Sequence, residues 1–392
     1  MARHILTIIG TRPEAIKMAP VVLALRSCSA LESRLCVTGQ HRKMLDDVLD
    51  AFAIAPDADL NLMKVGQDPS QLMARALMAI HEELLAHRPD LVLVHGDTTT
   101  SLAAALAAFH ARIPIAHVEA GLRTGRLTAP FPEEGNRLLT SRLTSLHFAP
   151  TPRARQNLID EGVHASQIKV TGNTVVDALR IMLAKITASP VEAWRESLGS
   201  SAFEAIQSNK SRSILVTCHR RETFGVELES VCGAIRDIAV RHRDWHFLYP
   251  VHPNPQVRGP VHQILSGIEN VHLLAPLSYA PFVWMMNRVD LIVTDSGGIQ
   301  EEAPALGKPV LAMRKVTERA EAIEAGTARL IGTDPERIIV GVEETLSNDR
   351  VYRRMARVHD SFGDGRATER ILGALTGADL PDFEPLSEHG ET

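Results

Sequence analysis

Short apolar runs recur along this chain of 392 residues, and each is followed by a segment whose hydrophobic residues return at helical spacing. The runs are continuous rather than alternating, which is typical of parallel strands that helices cover on both faces. This pattern predicts strands at residues 5–9, 34–38, 91–95, 113–118, 146–149, 168–171, 213–217, 245–251, 271–274, 291–294 and 309–313. Strands that alternate with helices predict βαβ units, and therefore an α/β fold of doubly wound parallel sheets.

Two domains are expected, because 392 residues exceed the size of one ordinary domain. A polar stretch at residues 183–213 separates two strand-rich halves, and we place the boundary after residue 174. An amphipathic segment near the end predicts a last helix that can pack back on the first domain, and the acidic end predicts a flexible tail. The predicted segments are an N-terminal Rossmann-like domain (1–174), a C-terminal Rossmann-like domain (175–365), the last helix (about 366–378) and the tail (379–392).

Composition and charge exclude several classes of partner. Lys and Arg number 42 against 47 Asp and Glu, a net charge of −5, so no basic field draws the chain to nucleic acid or anionic lipid. No apolar stretch approaches the ~20 residues of a membrane span, and the first strand begins too early for a signal peptide. The cysteines lack CxxC spacing and are expected to be reduced thiols, at Cys28, Cys36, Cys218 and Cys232. These features predict a cytoplasmic protein without membrane or nucleic-acid partners.

Three acidic side chains of the first half follow predicted strands or begin a predicted helix. Asp97 comes after the strand at residues 91–95, Glu119 after the next one, and Glu133 opens a helix. Asp97 can simply cap the following helix, and Glu133 can simply interact with a helix dipole. Together, three carboxylates at one edge of one sheet are what proton transfer at an unactivated carbon requires. The first half therefore supplies candidates for acid–base catalysis.

Positively charged side chains follow the first strand of each half. Arg12 and Lys17 lie where the first helix begins, and His219 stands beside two arginines after the first strand of the second half. Such positions suit a phosphate or a carboxylate, although a solvated surface loop explains each motif about equally well. The dinucleotide fingerprint GxGxxG is absent after the first strand. A Cys–His pair with Cys218 is disfavoured, because adjacent strand residues point to opposite faces.

The strongest local motif is Ser296-Gly297-Gly298, where an apolar strand breaks and a helix begins. Backbone N–H groups and the positive helix end can surround a diphosphate there, and the glycines permit a close approach. Glu302, about one turn into the helix, can accept hydrogen bonds from ribose hydroxyls. A tight turn without a ligand is the alternative, and ligand binding is favoured. No HExxH motif or cysteine cluster is present, so no metal site is predicted.

In order and spacing, these motifs resemble those of the bacterial non-hydrolysing UDP-N-acetylglucosamine (UDP-GlcNAc) 2-epimerases. The similar blocks run from Gly10 to Gly365: GTRPEAIKMAP, TGQHRKMLDDVL, VLVHGDTTT, HVEAGLRTG, PEEGNR, TGNTVVDAL, HRRETFG, YPVHPNP, VTDSGGIQEEAP, LGKPVL, TER and GDG. The resemblance implies a GT-B-like fold, in which two Rossmann-like domains face across a cleft. It also implies a homodimer that needs no cofactor and supplies ManNAc-type sugars for surface polysaccharides. The implied reaction is reversible epimerisation at C2 to UDP-N-acetylmannosamine (UDP-ManNAc), by elimination of UDP to 2-acetamidoglucal and readdition.

The resemblance also implies roles for individual residues. Its catalytic set comprises Arg12, Asp97, Glu119, Glu133 and His219, and its substrate-binding set comprises Lys17, Phe282, Ser296, Gly297, Gly298, Glu302 and Arg319. Bacterial members bind a second UDP-GlcNAc as an activator, and the candidates for that contact are Gln40, Glu134 and His252. We expect Asp97 and Glu133 to share acid–base work at C2, and Glu119 to support the sugar or the developing positive charge. The chain departs from the family pattern at Cys218, at Ala320 and at residues 360–362, none of which removes a proposed catalytic group.

Other enzymes and one kind of binding protein share enough of these features to be alternatives. A hydrolysing epimerase would release free ManNAc, and an epimerase of UDP-2,3-diacetamido sugars would need an additional carboxylate contact. A GT-B glycosyltransferase would transfer the sugar to an acceptor, which the three acids of the first half disfavour. A non-catalytic UDP-sugar sensor would bind without conversion and would need none of those acids.

Overall fold

The chain folds into two units, each built around one parallel β-sheet. A computed structural model describes residues 2–39, 42–63, 68–208 and 211–386. Among these residues, the N-terminal unit comprises 2–181 and Phe362–Pro385, and the C-terminal unit comprises Met182–Ser361 and Leu386. The chain therefore returns to the N-terminal unit after it has completed the sheet of the C-terminal unit.

The sheet of the N-terminal unit has seven strands among the described residues. They are β1 (Arg3–Ile9), β2 (Leu31–Val37), β3 (Ala58–Asp59), β4 (Leu91–His95), β5 (Ile115–Val118), β6 (Leu146–Ala149) and β7 (Ile168–Val170). Their order is β3-β2-β1-β4-β5-β6-β7, and every neighbouring pair runs parallel. The helices that connect them are α1 (Arg12–Ser27), α2 (Arg42–Phe52), α3 (Pro69–His87), α4 (Thr99–His110), α5 (Glu133–Leu143) and α6 (Pro152–Asp160).

Six strands form the sheet of the C-terminal unit in the part of the chain that the structure describes. They are β8 (Arg212–Thr217), β9 (Trp245–Pro250), β10 (Val271–Leu274), β11 (Leu291–Thr294), β12 (Val310–Ala312) and β13 (Ala328–Leu330). The order is β10-β9-β8-β11-β12-β13, again with parallel neighbours throughout.

Helix α7 (Thr174–Ala188) carries the chain from the first unit to the second. The boundary that the sequence predicts after residue 174 falls at the start of this helix, whereas the two units separate inside it, after Ile181. The further helices of the C-terminal unit are α8 (Ala193–Leu198), α9 (Ser200–Gln207), α10 (Val226–Arg241), α11 (Pro255–Leu265), α12 (Tyr279–Met286), α13 (Gly297–Glu302), α14 (Ala320–Glu324), α15 (Pro335–Ser347) and α16 (Asp349–Met355).

The last helix, α17 (Ala367–Thr376), belongs to the N-terminal unit and contacts α1. Residues 379–385, which the sequence predicts to be part of a flexible tail, also pack on this unit. Phe383 is 1% exposed, and its N–H donates to the carbonyl of Val170 over 2.8 Å. The ammonium group of Lys169 contacts the carbonyl of Leu380. The acidic composition indicates a solvated end, but one buried aromatic ring is enough to hold the segment in place.

Four of the described helices begin with the same local pattern, a capping side chain followed by proline. The side-chain oxygen accepts a hydrogen bond from a backbone N–H of the first turn, and proline lacks an N–H that would have no partner in the helix. The pairs are Asp68–Pro69 for α3, Thr151–Pro152 for α6, Asn254–Pro255 for α11 and Asp334–Pro335 for α15. These helix starts are therefore encoded locally.

The structure confirms the predicted fold class, two doubly wound parallel sheets of Rossmann-like units, and adds two strands. Both additional strands lie at sheet edges: β3 has two residues and β13 has three. Each includes a charged residue, Asp59 in β3 and Arg329 in β13, so neither shows the continuous apolar run of a central strand. The other strands overlap the predicted ones.

Candidate active site

Strand order reverses once in each sheet, and candidate residues follow the strands on either side of each reversal. The reversal lies between β1 and β4 in the N-terminal unit and between β8 and β11 in the C-terminal unit. Connections from two such strands lead to opposite faces of the sheet, which leaves a crevice at the carboxyl ends where open parallel sheets bind ligands. Arg12 and Asp97 follow β1 and β4, and His219 and Ser296 follow β8 and β11.

A buried glutamate, Glu14, joins the loop after β1 to the start of α4. Its Oε2 accepts hydrogen bonds from the N–H groups of Gly10 and Thr11 over 3.0 and 2.8 Å. Its Oε1 accepts from the hydroxyls of Thr98 and Ser101 over 2.8 and 3.0 Å. This role was not predicted from the sequence, although the capping-box spacing of Thr11 and Glu14 is a local signal for it.

The carboxylate of Glu119 is held by polar side chains of the N-terminal unit. It forms an ion pair with the buried ammonium of Lys17, and the amide of Asn173 donates to the same oxygen over 2.9 Å. His95 Nε2 lies 3.7 Å from that oxygen. The backbone of Glu119 has φ +65°, a left-handed conformation that is uncommon outside glycine and that recurs at functional sites. Glu119 is therefore a buried carboxylate in a fixed place, which suits electrostatic stabilisation.

Asp97 is oriented by the first turns of α5. The guanidinium of Arg137 donates two hydrogen bonds to Asp97 Oδ2, from Nε over 2.9 Å and from Nη2 over 2.5 Å. The side-chain amide of Asn136 donates to the Asp97 carbonyl over 2.9 Å. Arg137 was not among the residues predicted from the sequence, where its one signal is its place in the block PEEGNR.

Glu133 and Glu134 open α5, but their surroundings differ. Glu134 is buried, and its Oε1 accepts hydrogen bonds from the N–H groups of Thr124 and Gly125, both over 2.9 Å. Its Oε2 accepts from Arg137 over 3.0 Å. Glu133 is half-buried at the first helical position. Glu134 therefore ties a loop to Arg137, whereas Glu133 is the more exposed acid.

A buried histidine connects β5 to the loop after β4. His117 Nε2 donates to the carbonyl of Gly96 over 2.7 Å, directly before Asp97. Burial lowers the pKa of His117 from 6.5 to about 3, against the opposing effect of the hydrogen bond to Gly96. The folded protein therefore keeps this ring neutral at physiological pH.

We expect acid to destabilise the protein through His117. Its pKa is about 3 in the folded state against 6.5 as the ordinary value, so below pH 6.5 the unfolded chain binds a proton that the folded state rejects. The free energy of unfolding is therefore unaffected by this proton above pH 6.5. It falls by about 2–3 kcal/mol between pH 7 and pH 4.5. Urea denaturation of His117→Gln, which retains a donor for Gly96, should show a smaller loss over this range. Exposed His110→Gln is the control, and equal acid sensitivity of both variants would contradict the prediction.

The loop after β8 is held by a fully buried aspartate, Asp295. The N–H groups of His219 and Arg220 each donate to Asp295 Oδ2 over 2.8 Å, and the hydroxyl of Thr223 donates to it over 3.3 Å. The ring of His219 stacks on His252 with centroids 5.6 Å apart and planes 15° from parallel. Its Nδ1 lies 3.5 Å from Asp295 Oδ1. Asp295 therefore fixes the backbone at His219 and lies near its ring, a role that was not predicted from the sequence.

The thiol of Cys218 does not suit nucleophilic catalysis with its neighbour His219. The side chain is 2% exposed, and burial raises the pKa of Cys218 well above its ordinary value, with the negative charge of Asp295 acting in the same direction. A thiol that stays protonated is a poor nucleophile. The structure thus disfavours a Cys–His pair, as the strand geometry predicts.

The start of α13 is in contact with a paired arginine, Arg319. Its guanidinium forms ion pairs with Glu301 and Glu318 and packs directly against Gly297. A Cβ atom at Gly297 would lie 2.7 Å from Cζ and Nη1 of Arg319, so glycine is required for this approach. A positive charge thereby adjoins the backbone N–H groups of the first helical turn, an arrangement that suits an anionic ligand.

Glu302 and Phe282 come from neighbouring helices of the same unit. The hydroxyl of buried Tyr279, the first residue of α12, donates to Glu302 Oε1 over 2.7 Å. Phe282 lies on α12 and is half-buried. Ser296, directly before α13, donates its N–H to the Thr294 hydroxyl over 2.9 Å. The structure thus places the substrate-binding candidates of the C-terminal unit on α12, on α13 with the residue directly before it, and at Arg319 directly before α14.

Two of the three candidates for activator binding lie among the described residues, and both contact other residues of the candidate site. Gln40 lies outside the described residues. Glu134 bonds to Arg137, and His252 stacks on His219.

In the described ranges, no group of three or more His, Cys, Asp or Glu side chains is arranged to hold a metal ion. Nor does any helix there combine the length and apolar character that crossing a membrane would take.

Comparison with known proteins decides the family. A family model described as UDP-N-acetylglucosamine 2-epimerase matches residues 23–376. The chain belongs to this family. Among similar proteins, the UDP-N-acetylglucosamine 2-epimerase of Escherichia coli strain K12 is 53% identical over 371 residues, which cover 95% of this chain and 98% of that protein.

Solved structures of UDP-GlcNAc 2-epimerases are similar over the same length. The crystal structure of the Neisseria meningitidis protein bound to UDP-GlcNAc has a TM-score of 0.91 at 44% identity, and covers 95% of this chain and 100% of that one. The Methanocaldococcus jannaschii protein in complex with UDP-GlcNAc and UDP has a TM-score of 0.84 at 32% identity, with 96% and 100% covered. The family that the sequence motifs indicate, and its class of isomerases, are therefore confirmed. The roles of individual residues remain predictions.

Proposed function

We propose that this protein is a non-hydrolysing epimerase that interconverts UDP-GlcNAc and UDP-ManNAc at C2 of the sugar. The observation that carries the proposal is membership of the UDP-GlcNAc 2-epimerase family over nearly the whole chain. Similar proteins whose structures contain UDP-GlcNAc or UDP support this choice of nucleotide sugar. Elimination of UDP to 2-acetamidoglucal and its readdition leave the oxidation state unchanged, so the proposed reaction needs no redox cofactor.

The order of bond changes dictates which groups the enzyme needs. The C2–H bond has no adjacent carbonyl group and is not acidic in the ground state. Loosening of the C1–O bond to UDP gives C1 oxocarbenium character, which acidifies C2–H, and a carboxylate can then take the proton as the C1–C2 double bond forms. Return of a proton to the opposite face, with readdition of UDP, yields the epimer. The site therefore needs carboxylates near C1 and C2 and positive groups around the leaving diphosphate.

In the N-terminal unit, we assign proton transfer at C2 to Asp97 and Glu133, and electrostatic support to Glu119. The side chain of Asp97 is 23% exposed and Glu133 is half-buried, so both retain surface for a substrate. Glu119 is held by Lys17 and Asn173, and a fixed negative charge there would stabilise the positive charge that develops at C1. Its fixed contacts favour this role over repeated proton exchange.

In the C-terminal unit, we assign the nucleotide to the loop after β8 and to the start of α13. His219 can neutralise or protonate the departing phosphate, and Arg319 can bind the diphosphate together with backbone N–H groups. The remaining proposed contacts are Ser296, Gly297 and Gly298 for the diphosphate, Glu302 for the ribose, Phe282 for the uracil, and Arg12 with Lys17 of the N-terminal unit for anionic groups of the substrate.

Incubation with UDP-GlcNAc in heavy water, followed by NMR, tests the reaction and its mechanism together. We expect UDP-ManNAc that carries deuterium at C2, because the abstracted proton exchanges with solvent before it returns. UDP-ManNAc without deuterium would contradict the elimination mechanism, and free ManNAc with UDP would indicate a hydrolysing epimerase. UDP binding without any conversion would replace the enzymatic proposal with a sensor.

We also propose a cytoplasmic homodimer that UDP-GlcNAc activates and whose product serves surface polysaccharide synthesis, as the family resemblance implies. Glu134 bonds to the arginine that orients Asp97, and His252 stacks on His219, so a ligand beside either residue would act on proposed catalytic groups. Sedimentation analysis measures the oligomeric state. Hyperbolic kinetics with pure UDP-ManNAc as the substrate would contradict activation.

A further inference from the structure

Arg137 lies buried between two carboxylates, one of which belongs to a proposed catalytic residue. Nε and Nη2 both donate to Asp97 Oδ2, and Nη1 donates to Glu134 Oε2 over 3.0 Å. The side chain of Arg137 is 5% exposed, that of Glu134 is 1% exposed and that of Asp97 is 23% exposed. The guanidinium thus joins an inaccessible acid to an accessible one.

The positions of these three side chains are set by the protein around them. Glu134 Oε1 accepts the N–H groups of Thr124 and Gly125, and Asn136 holds the Asp97 carbonyl. The planar guanidinium then directs two donors at one oxygen of Asp97. Among the described residues, both donors to the Asp97 carboxylate bond to Oδ2, and none donates a hydrogen bond to Oδ1. This oxygen remains for a proton from the substrate.

The second carboxylate matters when Asp97 gains a proton. A buried arginine that loses its carboxylate partner becomes an uncompensated charge, which costs several kcal/mol. Here Glu134 still pairs with Arg137 after Asp97 is neutralised. The formal charge of two carboxylates and one guanidinium changes from −1 to zero, and the buried cation keeps a counter-charge in both states. The arrangement therefore tolerates both protonation states of Asp97, as a group that takes and returns a proton requires.

We propose that Arg137 is a positioning residue for proton transfer at C2, and that Glu134 is the counter-charge that lets Asp97 change its protonation state. This inference rests on the proposed epimerase function. For the epimer whose C2–H faces Asp97, that bond breaks and its electron pair becomes the C1–C2 double bond. UDP leaves with the electrons of the C1–O bond, and the proton goes to Asp97 Oδ1. Readdition on the same face reverses these changes.

Arg137→Lys and Glu134→Gln test the two roles, with UDP-GlcNAc that carries deuterium at C2 as the probe. Lysine keeps the charge but lacks the two-donor fork, and glutamine keeps an acceptor for the loop amides but removes the counter-charge. We expect kcat to fall about tenfold to a hundredfold in each variant while KM changes less than about threefold. The primary isotope effect on kcat should rise, because proton transfer limits the rate more strongly. Arg142→Lys, on the last turn of α5, is the matched control and should keep the parent values.

Loss of folded protein would lower kcat without changing the isotope effect, so thermal unfolding is measured on the same samples. Two results would overturn the inference. One is a kcat equal to that of the parent protein in variants that are folded. The other is a decrease in kcat that matches the fraction of unfolded protein and leaves the isotope effect unchanged. Should Arg137→Lys not fold, Glu134→Gln decides by itself, since it can keep both loop hydrogen bonds. A parent protein that does not convert UDP-GlcNAc would overturn the proposed function, whereas an active parent with unaffected variants overturns only the role of Arg137.

Discussion

Replacing Glu119 with glutamine is expected to lower kcat about a thousandfold and the free energy of unfolding by about 3 kcal/mol. Activity falls because glutamine carries no negative charge to stabilise the positive charge at C1. Stability falls because the buried ammonium of Lys17 loses the carboxylate with which it is paired. Glutamine has nearly the size of glutamate and can still accept the hydrogen bond of Asn173, so a cavity explains neither loss. Steady-state kinetics with UDP-GlcNAc and urea denaturation of the same samples measure both quantities.

Lys17→Met, alone and combined with Glu119→Gln, separates the charge effect from general damage. We expect each single variant to have a lower free energy of unfolding than the parent protein. The double variant should be about 2 kcal/mol more stable than the sum of the two single losses implies. The double variant should keep the low kcat expected of Glu119→Gln. Additive stabilities would show that the two charges are not energetically coupled, and a Glu119→Gln variant with the parent kcat would refute the role of Glu119.

Replacing Gly297 with alanine is expected to weaken the binding of UDP about tenfold to a hundredfold, or about 1.5–3 kcal/mol. The added Cβ would lie 2.7 Å from two atoms of the Arg319 guanidinium, which must then move away from the start of α13. The ion pairs of Arg319 with Glu301 and Glu318 restrict where it can go. Isothermal titration calorimetry with UDP measures the change in affinity.

Two further variants identify the cause of that loss. Gly233→Ala places a methyl group on α10, where a Cβ meets nothing within 4 Å, and should leave the affinity for UDP unchanged. Arg319→Met removes the cation itself, so adding Gly297→Ala to it should weaken binding no further. Additive losses in that double variant would mean that the alanine acts directly on the ligand.

The two carboxylates that adjoin the strand ends of the N-terminal unit are paired with cations in different ways. Glu119 meets a compact ammonium and an amide within the buried interior, and its backbone is held in the left-handed region. Asp97 meets a guanidinium that a second carboxylate also neutralises. This difference favours a constant charge at Glu119 and a changing one at Asp97. The proposed division between electrostatic support and proton transfer follows from it.

Local patterns in the chain were sufficient for the fold class, for most strands and for the loops that carry the candidate residues. Continuous apolar runs mark central parallel strands, and capping residues before proline mark helix starts, because both depend on neighbours in the sequence. The strands β3 and β13 could not be predicted in this way, since they have only two and three residues and each includes a charged side chain. The packing of residues 379–385 could not be predicted either, because one phenylalanine in a polar segment gives no periodic signal.

The three-dimensional arrangement was needed to show which side chains meet. Arg137 and Asp97 are 40 residues apart, and Glu119 is separated by 102 residues from Lys17 and by 54 from Asn173. Arg137 on a helix with Glu134 three residues before it looks, in sequence, like an ordinary ion pair within one helix. Contacts across a parallel sheet depend on strand order and on the path of the connecting loops, and neither is written in any local pattern. The sequence therefore identified the loops of the site, and the fold set the charge environment of each acid within it.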